Sequence, residues 1–379
     1  MTPLPHPSLA LTLAAFALVI GLLVFVHEMG HYLVGRWFGI RAEAFSIGFG
    51  REIAGWTDRR GTRWKVGVLP LGGYVKFAGD ADASSRPGDA TVATPAERAG
   101  MFQFRPIWQR ALVILAGPAT NFLFATAIFA GFFMLYGQAE TPPVVARVLP
   151  ASPAARAGLA PGDIIVALDG RRIAGFEDII QAMAGSGGAP VDVTVRRVSG
   201  IRTVAVTPAM TDTVDPFGTH SRVARLGISP GRGQVIVARG PVSAVYHAGR
   251  EVVVLVRMII DGLADVVTGR RAVSELGGPV KIAQVSGQAA ALGLPNLIEF
   301  VAFVSINLGF INLLPVPMLD GGHLFLYAIE AVRRRPLAPK VQEMAFMTGF
   351  AALMSLMVFL TWHDLVGVGV VSRLAGLFG

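Results

Sequence analysis

His27-Glu28-Met29-Gly30-His31 places two imidazoles four residues apart with a carboxylate between them. Residues four apart share one face of a helix, because a turn takes 3.6 residues. Both rings can then bind one metal ion, with the glutamate beside the metal's water. That is the chemistry of zinc-dependent peptide hydrolysis. The motif closes an uninterrupted apolar run from Leu9 to Val26. The chemistry would therefore take place at bilayer depth. Ionisable side chains inside a span are costly and mark function, and three at metal-ligand spacing are hard to explain as core residues.

The chain has no cysteine. Disulfides and thiolate zinc sites are thus excluded, and any metal must be held by His, Asp or Glu. A later apolar run ends in Asn307-Leu-Gly-Phe-Ile-Asn312-Leu-Leu-Pro315-Val-Pro317-Met-Leu-Asp320-Gly321-Gly322-His323. Pro315 and Pro317 must break or end a helix. The exposed backbone is tolerable only where it is buried in protein or faces a wet site. Asp320 is the expected third ligand. His323, in the same turn, is the rival by spacing and is read as a supporting histidine.

The elements that position these residues follow from composition. Of the 379 residues only 15% are charged, against roughly 25% in soluble domains, and mean hydropathy is +0.57. Four segments are long enough to span a hydrocarbon core, which needs about 20 apolar residues: 9–26 continuing through the motif, 111–136, 297–319 and 345–362. The first has no basic leader and no clear cleavage site, so it is expected to remain as an uncleaved span. The net charge of +8 is spread over loops with no aromatic-interleaved basic cluster, which speaks against nucleic acid and for topology and contact with anionic lipid.

Arg36, Arg41, Arg51, Arg59, Arg60, Arg63, Lys65 and Lys76 crowd the first loop, and Arg333, Arg334, Arg335 and Lys340 separate spans three and four. The positive-inside rule places both loops in the cytoplasm and residues 137–296 outside. HEMGH and Asp320 then lie at similar depth near the cytoplasmic side. Gly72-Gly73, between Lys65-Val-Gly-Val-Leu-Pro-Leu and Tyr74-Val-Lys-Phe, reads as a hairpin turn. Pro70 requires a free or irregular edge, to which an extended peptide can add. Residues 241–268 have apolar spacing that favours an amphipathic helix on the outer membrane face.

Residues 144–208 alternate short β-prone runs with turns. The stretch Ser152-Pro-Ala-Ala-Arg-Ala-Gly-Leu-Ala-Pro-Gly-Asp-Ile-Ile-Val-Ala-Leu-Asp-Gly170 resembles bacterial PDZ domains, which bind extended peptides by strand addition. The expected fold is a multi-span α-helical membrane protein of about four helices with an inserted α+β PDZ domain and a membrane-associated β-hairpin. Residues 1–136 and 297–379 form its membrane core, 137–235 the PDZ domain and 236–296 an amphipathic linker.

HExxH in the first span, a PDZ insert and NLLPVPMLDGGH, in that order, resemble the site-2 protease family of intramembrane zinc metalloproteases, in particular its RseP-type members. The resemblance covers nearly the whole chain. It implies zinc on His27, His31 and Asp320, with Glu28 as catalytic base. It implies a membrane-re-entrant hairpin around residues 65–79, with Gly72 and Gly73 at the substrate, and a substrate role for Asn307 or Asn312. It also implies a bacterial inner-membrane enzyme with its PDZ domain outside. Its partners would be the bilayer and single-span membrane proteins trimmed by a site-1 protease, such as anti-sigma factors or signal-peptide remnants. The best-studied members carry two PDZ domains and this chain shows one, which leaves substrate gating open. A metal transporter should carry more intramembrane carboxylates and no PDZ domain, and an inactive PDZ scaffold leaves Glu28 unexplained.

Overall fold

A computed structural model of the chain describes residues 7–80, 94–214, 220–231, 233, 235–270, 272, 273 and 277–367. They fall into two compact units. The first joins the chain up to Ala130 to the part from Val245 onward, and the second is Gly131–Ala244.

In the first unit, α1 (Leu9–Trp37) starts where the Ser8 side chain accepts from Leu11 N–H, an N-cap that satisfies one of the orphan donors of the first turn. Its 29 residues extend about 43 Å at 1.5 Å per residue, enough to cross a core of about 30 Å. Ala15, Val19, Leu23, His27 and His31 form a buried stripe at four-residue spacing. Leu9, Leu13, Leu18 and Leu33 on other faces are exposed, a surface suited to lipid.

Strands β1 (Ala42–Thr57) and β2 (Arg63–Phe77) follow. Their turn is Asp58–Thr62, not Gly72-Gly73. The Asp58 carboxylate accepts from the N–H groups of Arg60 and Thr62 and from Trp64 Nε1, and an Asp so bonded fixes a turn more firmly than Gly-Gly alone. Gly72 and Gly73 lie inside β2, where Gly72 has φ +99°. The strands bend so that Ala44 to Ile47 pair on one side with Lys76 to Gly73 and on the other with Arg63 to Val66, while Ala54 to Thr57 pair with Val66 to Arg63. Positive φ at Gly48 and Gly50 permits the reversal of β1. Tyr32, Phe45, Val75, Phe77, Val113 and Ile114 make one buried cluster that fixes this sheet against α1 and the later span.

After α2 (Pro95–Arg98) comes the second spanning helix, α3 (Ile107–Leu135), with Pro118 in its interior.

The second unit begins with β3 (Gln138–Glu140), β4 (Val145–Val148), α4 (Pro153–Arg156), β5 (Ile164–Leu168), β6 (Arg171–Arg172) and α5 (Phe176–Ser186). It continues with β7 (Val191–Arg197), β8 (Gly200–Val206), β9 (Ala209–Val214), β10 (His220–Arg225), β11 (Ile228–Pro230) and β12 (Val235–Val237). A four-stranded sheet has the order β6-β5-β7-β8, and β4 pairs with β11. Val145, Ile165, Leu168, Ile179, Val193 and Val195 form its core. Strands β3 and β12 pair antiparallel, and Arg239 bonds Glu140. Entry and exit of the unit are thus joined. The pairings β9–β10 and β3–β12 have no counterpart in the sequence reading, which ended the strands near residue 208.

Back in the first unit, α6 (Pro241–Val267) is amphipathic, and α7 (Pro279–Ala291) packs against α1 with Gly287 beside Thr12. Helix α8 (Leu294–Asn312) ends seven residues earlier than the apolar run implied, because Pro315 and Pro317 follow. The last elements are α9 (Asp320–Arg333) and α10 (Pro339–Gly367). Among the described residues four helices, α1, α3, α8 and α10, are long and apolar enough to cross a membrane.

In the second unit, Arg197 bonds the Asp163 carboxylate at 2.5 and 2.7 Å, and Asp163 also accepts from Ala160 N–H. Arg197 holds this carboxyl below the usual range. Removing a buried partner of a charged hydrogen bond costs about 2 kcal/mol, so Asp163→Ala should speed hydrogen exchange in β5 and β7 of the full chain at pH 7. The depressed value makes the contribution complete above about pH 4 and progressively lost as pH falls below it. The difference between wild type and variant should therefore shrink at pH 2.

Candidate metal centre

The buried stripe of α1 brings His27 and His31 to one wall of a cavity of about 350 Å3, also lined by Glu28, Gly72, Gly73, Tyr74, Val75, Asn312, Asp320 and His323. Asp320 arrives from the far side. After α8 the chain turns through residues 313–319, with Val316 N–H bonding Leu314 O and Met318 at φ +84°. The turn packs directly on α9. A Cβ on Gly321 would lie 2.2 Å from Leu313 O, and one on Gly322 2.3 Å from Val316 O. Farther along α9, Glu330 bonds Arg110 of α3 at 3.1 Å and accepts from Leu337 N–H, and Arg110 lies over the Tyr327 ring. This brace fixes the helix whose first residue is Asp320.

Asp320 Oδ2 lies 3.0 Å from His27 Nε2, Oδ1 lies 3.5 Å from His31 Nε2, and the two Nε2 atoms are 3.2 Å apart. Ligands bound tetrahedrally to zinc at about 2.0 to 2.1 Å are about 3.3 Å from one another. The donor set therefore fits a metal in spacing. It fits in chemistry as well. His31 Nδ1 is 2.8 Å from Val113 O, so its proton is committed to α3 and Nε2 presents a lone pair. Asp320 Oδ2 is buried without a hydrogen-bond donor among the described residues. Lone pairs facing one another at this range call for a cation. There is also room for one: a Cβ on Gly117 of α3 would lie 2.2 Å from His31 Nε2 and 2.9 Å from His27 Nε2.

Glu28 is buried beside the same cavity. A Cβ on Gly73 would meet Glu28 Cγ at 3.2 Å and Val24. The Gly73–Lys76 stretch thus pairs with β1 on one side and borders the site on the other. Asn312 lines the cavity, whereas Asn307 donates to Phe303 O in its own helix and does not line it. His323 lines it too, with its ring 4.8 Å from Phe346. Burial pushes its imidazole down to about 4, so it is neutral at pH 7.

The sequence reading missed the contribution of α3. Gly117, Val113 and Asn121 all face the histidines, Asn121 through a 3.1 Å contact with His27 Nδ1. Pro118 deprives Ile114 O of its helical donor and loosens this turn, while Thr120 Oγ bonds Ala116 O and Gly117 O. A polar residue next to Gly-Pro inside an apolar span was the available signal.

The profile described as peptidase family M50 matches residues 15–356. A Rhizobium meliloti (strain 1021) protein bearing the provisional name of a zinc metalloprotease is 45% identical over 363 residues, which cover 94% of this chain and 97% of its own. One of the same provisional description from Agrobacterium fabrum is 46% identical, covering 92% and 94%. Metalloprotease MmpA of Caulobacter vibrioides is 35% identical, covering 97% and 98%.

The geometry predicts about one metal per chain, the stoichiometry of a mononuclear three-ligand site. Elemental analysis of purified protein should show that metal lost in His27→Ala, Asp320→Ala and Gly117→Val, and kept in His323→Ala. Full occupancy in Asp320→Ala would remove Asp320 from the ligand set.

Proposed function

The chain belongs to peptidase family M50, and from that premise we propose that its metallopeptidase chemistry is directed at peptide bonds inside the bilayer. The reading rests on one observation above all: two histidines of α1, a helix long and apolar enough to span a bilayer, meet Asp320 from the start of α9. Depth supports it. Trp37 and Trp108, at the adjacent ends of α1 and α3, are 82% and 57% exposed, as in an aromatic belt at a headgroup level. His31 precedes Trp37 by six residues, about 9 Å along the helix.

Zinc held by His27, His31 and Asp320 would lower the pKa of a bound water to about 7 and polarise a carbonyl. Glu28 takes the proton of the attacking water and returns it to the leaving amine. Asn312, which lines the cavity, would donate from its amide to the carbonyl oxygen as charge develops there. A transmembrane helix must first unwind, since its carbonyls are hydrogen-bonded and shielded. The free side of Gly73–Lys76 offers backbone groups that hold the unwound segment extended beside Glu28. Phe49, Val68 and Leu69 near the bends of this sheet are exposed and apolar, as suits a hairpin dipping into lipid.

The substrates on this reading are single-span membrane proteins already trimmed outside by another protease. The enzyme sits in a bacterial inner membrane, with the arginine-rich loops in the cytoplasm. The second unit is read as a PDZ domain outside that filters substrates by size.

In a cleavage assay with a model transmembrane substrate, Glu28→Gln should reduce the rate by more than a hundredfold, since Gln keeps the shape and cannot accept a proton. Zinc content should stay near wild type. Residual cleavage within tenfold of wild type would argue against Glu28 as the base.

The joined strands β3 and β12 allow residues 141–234 to be replaced by a two-residue turn. That variant should keep its zinc, still cut trimmed substrates and cut untrimmed ones faster. Slower cutting of trimmed substrates would instead show a domain that docks them.

A further inference from the structure

A histidine that binds metal through Nε2 carries its proton on Nδ1, and in a buried site that proton needs an acceptor. Val113 O serves His31 in this way. For His27 the neighbour of Nδ1 is the Asn121 side-chain amide, its nitrogen at 3.1 Å, while Asn121 Oδ1 is buried with no partner among the described residues. The amide nitrogen and oxygen exchange places by a half-turn about the last side-chain bond and have the same shape. With the nitrogen against a metal-bound His27, two donors would face each other. After the half-turn, Oδ1 accepts the Nδ1 proton and the orphaned oxygen gains its partner.

The rest of Asn121 is held firmly. The residue is fully buried. Its backbone carbonyl accepts from Ser305 Oγ of α8 at 2.9 Å. A Cβ on Gly309 would stand 3.2 Å from Asn121 Cβ, so the two helices are in close contact here. One residue before Asn121, Thr120 Oγ bonds Ala116 O and Gly117 O.

We propose that Asn121 is a positioning residue of the metal centre, whose Oδ1 accepts from His27 Nδ1 and fixes the tautomer that turns Nε2 toward the metal. This rests on the metallopeptidase reading above. Both ligand histidines are then oriented by acceptors on one helix, a backbone carbonyl and a side-chain amide two turns apart.

Zinc affinity of the full-length protein in detergent, measured by competition with a chromophoric chelator, tests this without recourse to activity. Asn121→Leu, which has similar bulk and no acceptor, should bind zinc 10- to 100-fold more weakly, the range found when such partners are removed. Asn121→Asp, which keeps an acceptor at the same reach, should stay within about threefold of wild type. Asn121→Ala is measured alongside, in case leucine cannot be accommodated beside Gly309, and should match the leucine loss. Unchanged affinity in Asn121→Leu and Asn121→Ala, or equal loss in Asn121→Asp, would overturn the assignment while leaving the metal site intact. Unchanged affinity in His27→Ala would instead remove the site on which the assignment rests.

Discussion

Two imidazole nitrogens and a carboxylate are held face to face by groups that cannot easily retreat. Each offers a lone pair, and their mutual repulsion in a poorly solvated place is relieved by a cation among them. Much of the first unit reads as the means of keeping them there. Helix α1 supplies the four-residue stripe. Helix α3 supplies the acceptor for His31 and the bare backbone of Gly117. The turn after α8 delivers Asp320, and the Arg110–Glu330 pair secures the helix that begins with it. Such a centre is assembled from three segments far apart in sequence, so it exists only once the helices have packed.

The bilayer adds a second demand, because backbone groups within it must be satisfied by protein. The chain departs from helix at site depth in two places, and both are covered. The turn 313–319 closes on itself and on Gly321 and Gly322. The sheet pairs β1 on both sides, leaving the Gly73–Lys76 stretch as the backbone that borders the cavity.

The parts legible in the sequence were those with strong local patterns. Apolar runs mark the spans, four-residue spacing marks the two histidines, and prolines mark the end of α8. Their order carried the family resemblance, which the comparisons then showed. Asp320 could be placed near the histidines from topology alone. The rest depended on tertiary packing. Gly72-Gly73 has the composition of a turn, yet the Asp58 carboxylate, with three donors on it, draws the reversal to residues 58–62. Asn307 and Asn312 are alike by composition, and only the helix rotation decides that the second reaches the cavity. Gly117 is informative through what it lacks, and no periodicity announces a position where any side chain would collide with a ligand.

The short pairing of β3 with β12 has a bearing on history rather than on chemistry. A domain whose first and last strands lie side by side occupies a single point of attachment, so its gain, loss or doubling leaves the flanking helices a connection of unchanged span. Added length at such a point costs little in loop-closure entropy. Relatives could then differ in how many of these modules they carry while the catalytic framework stays as it is. Change in the insert would then leave the helices that hold the site untouched.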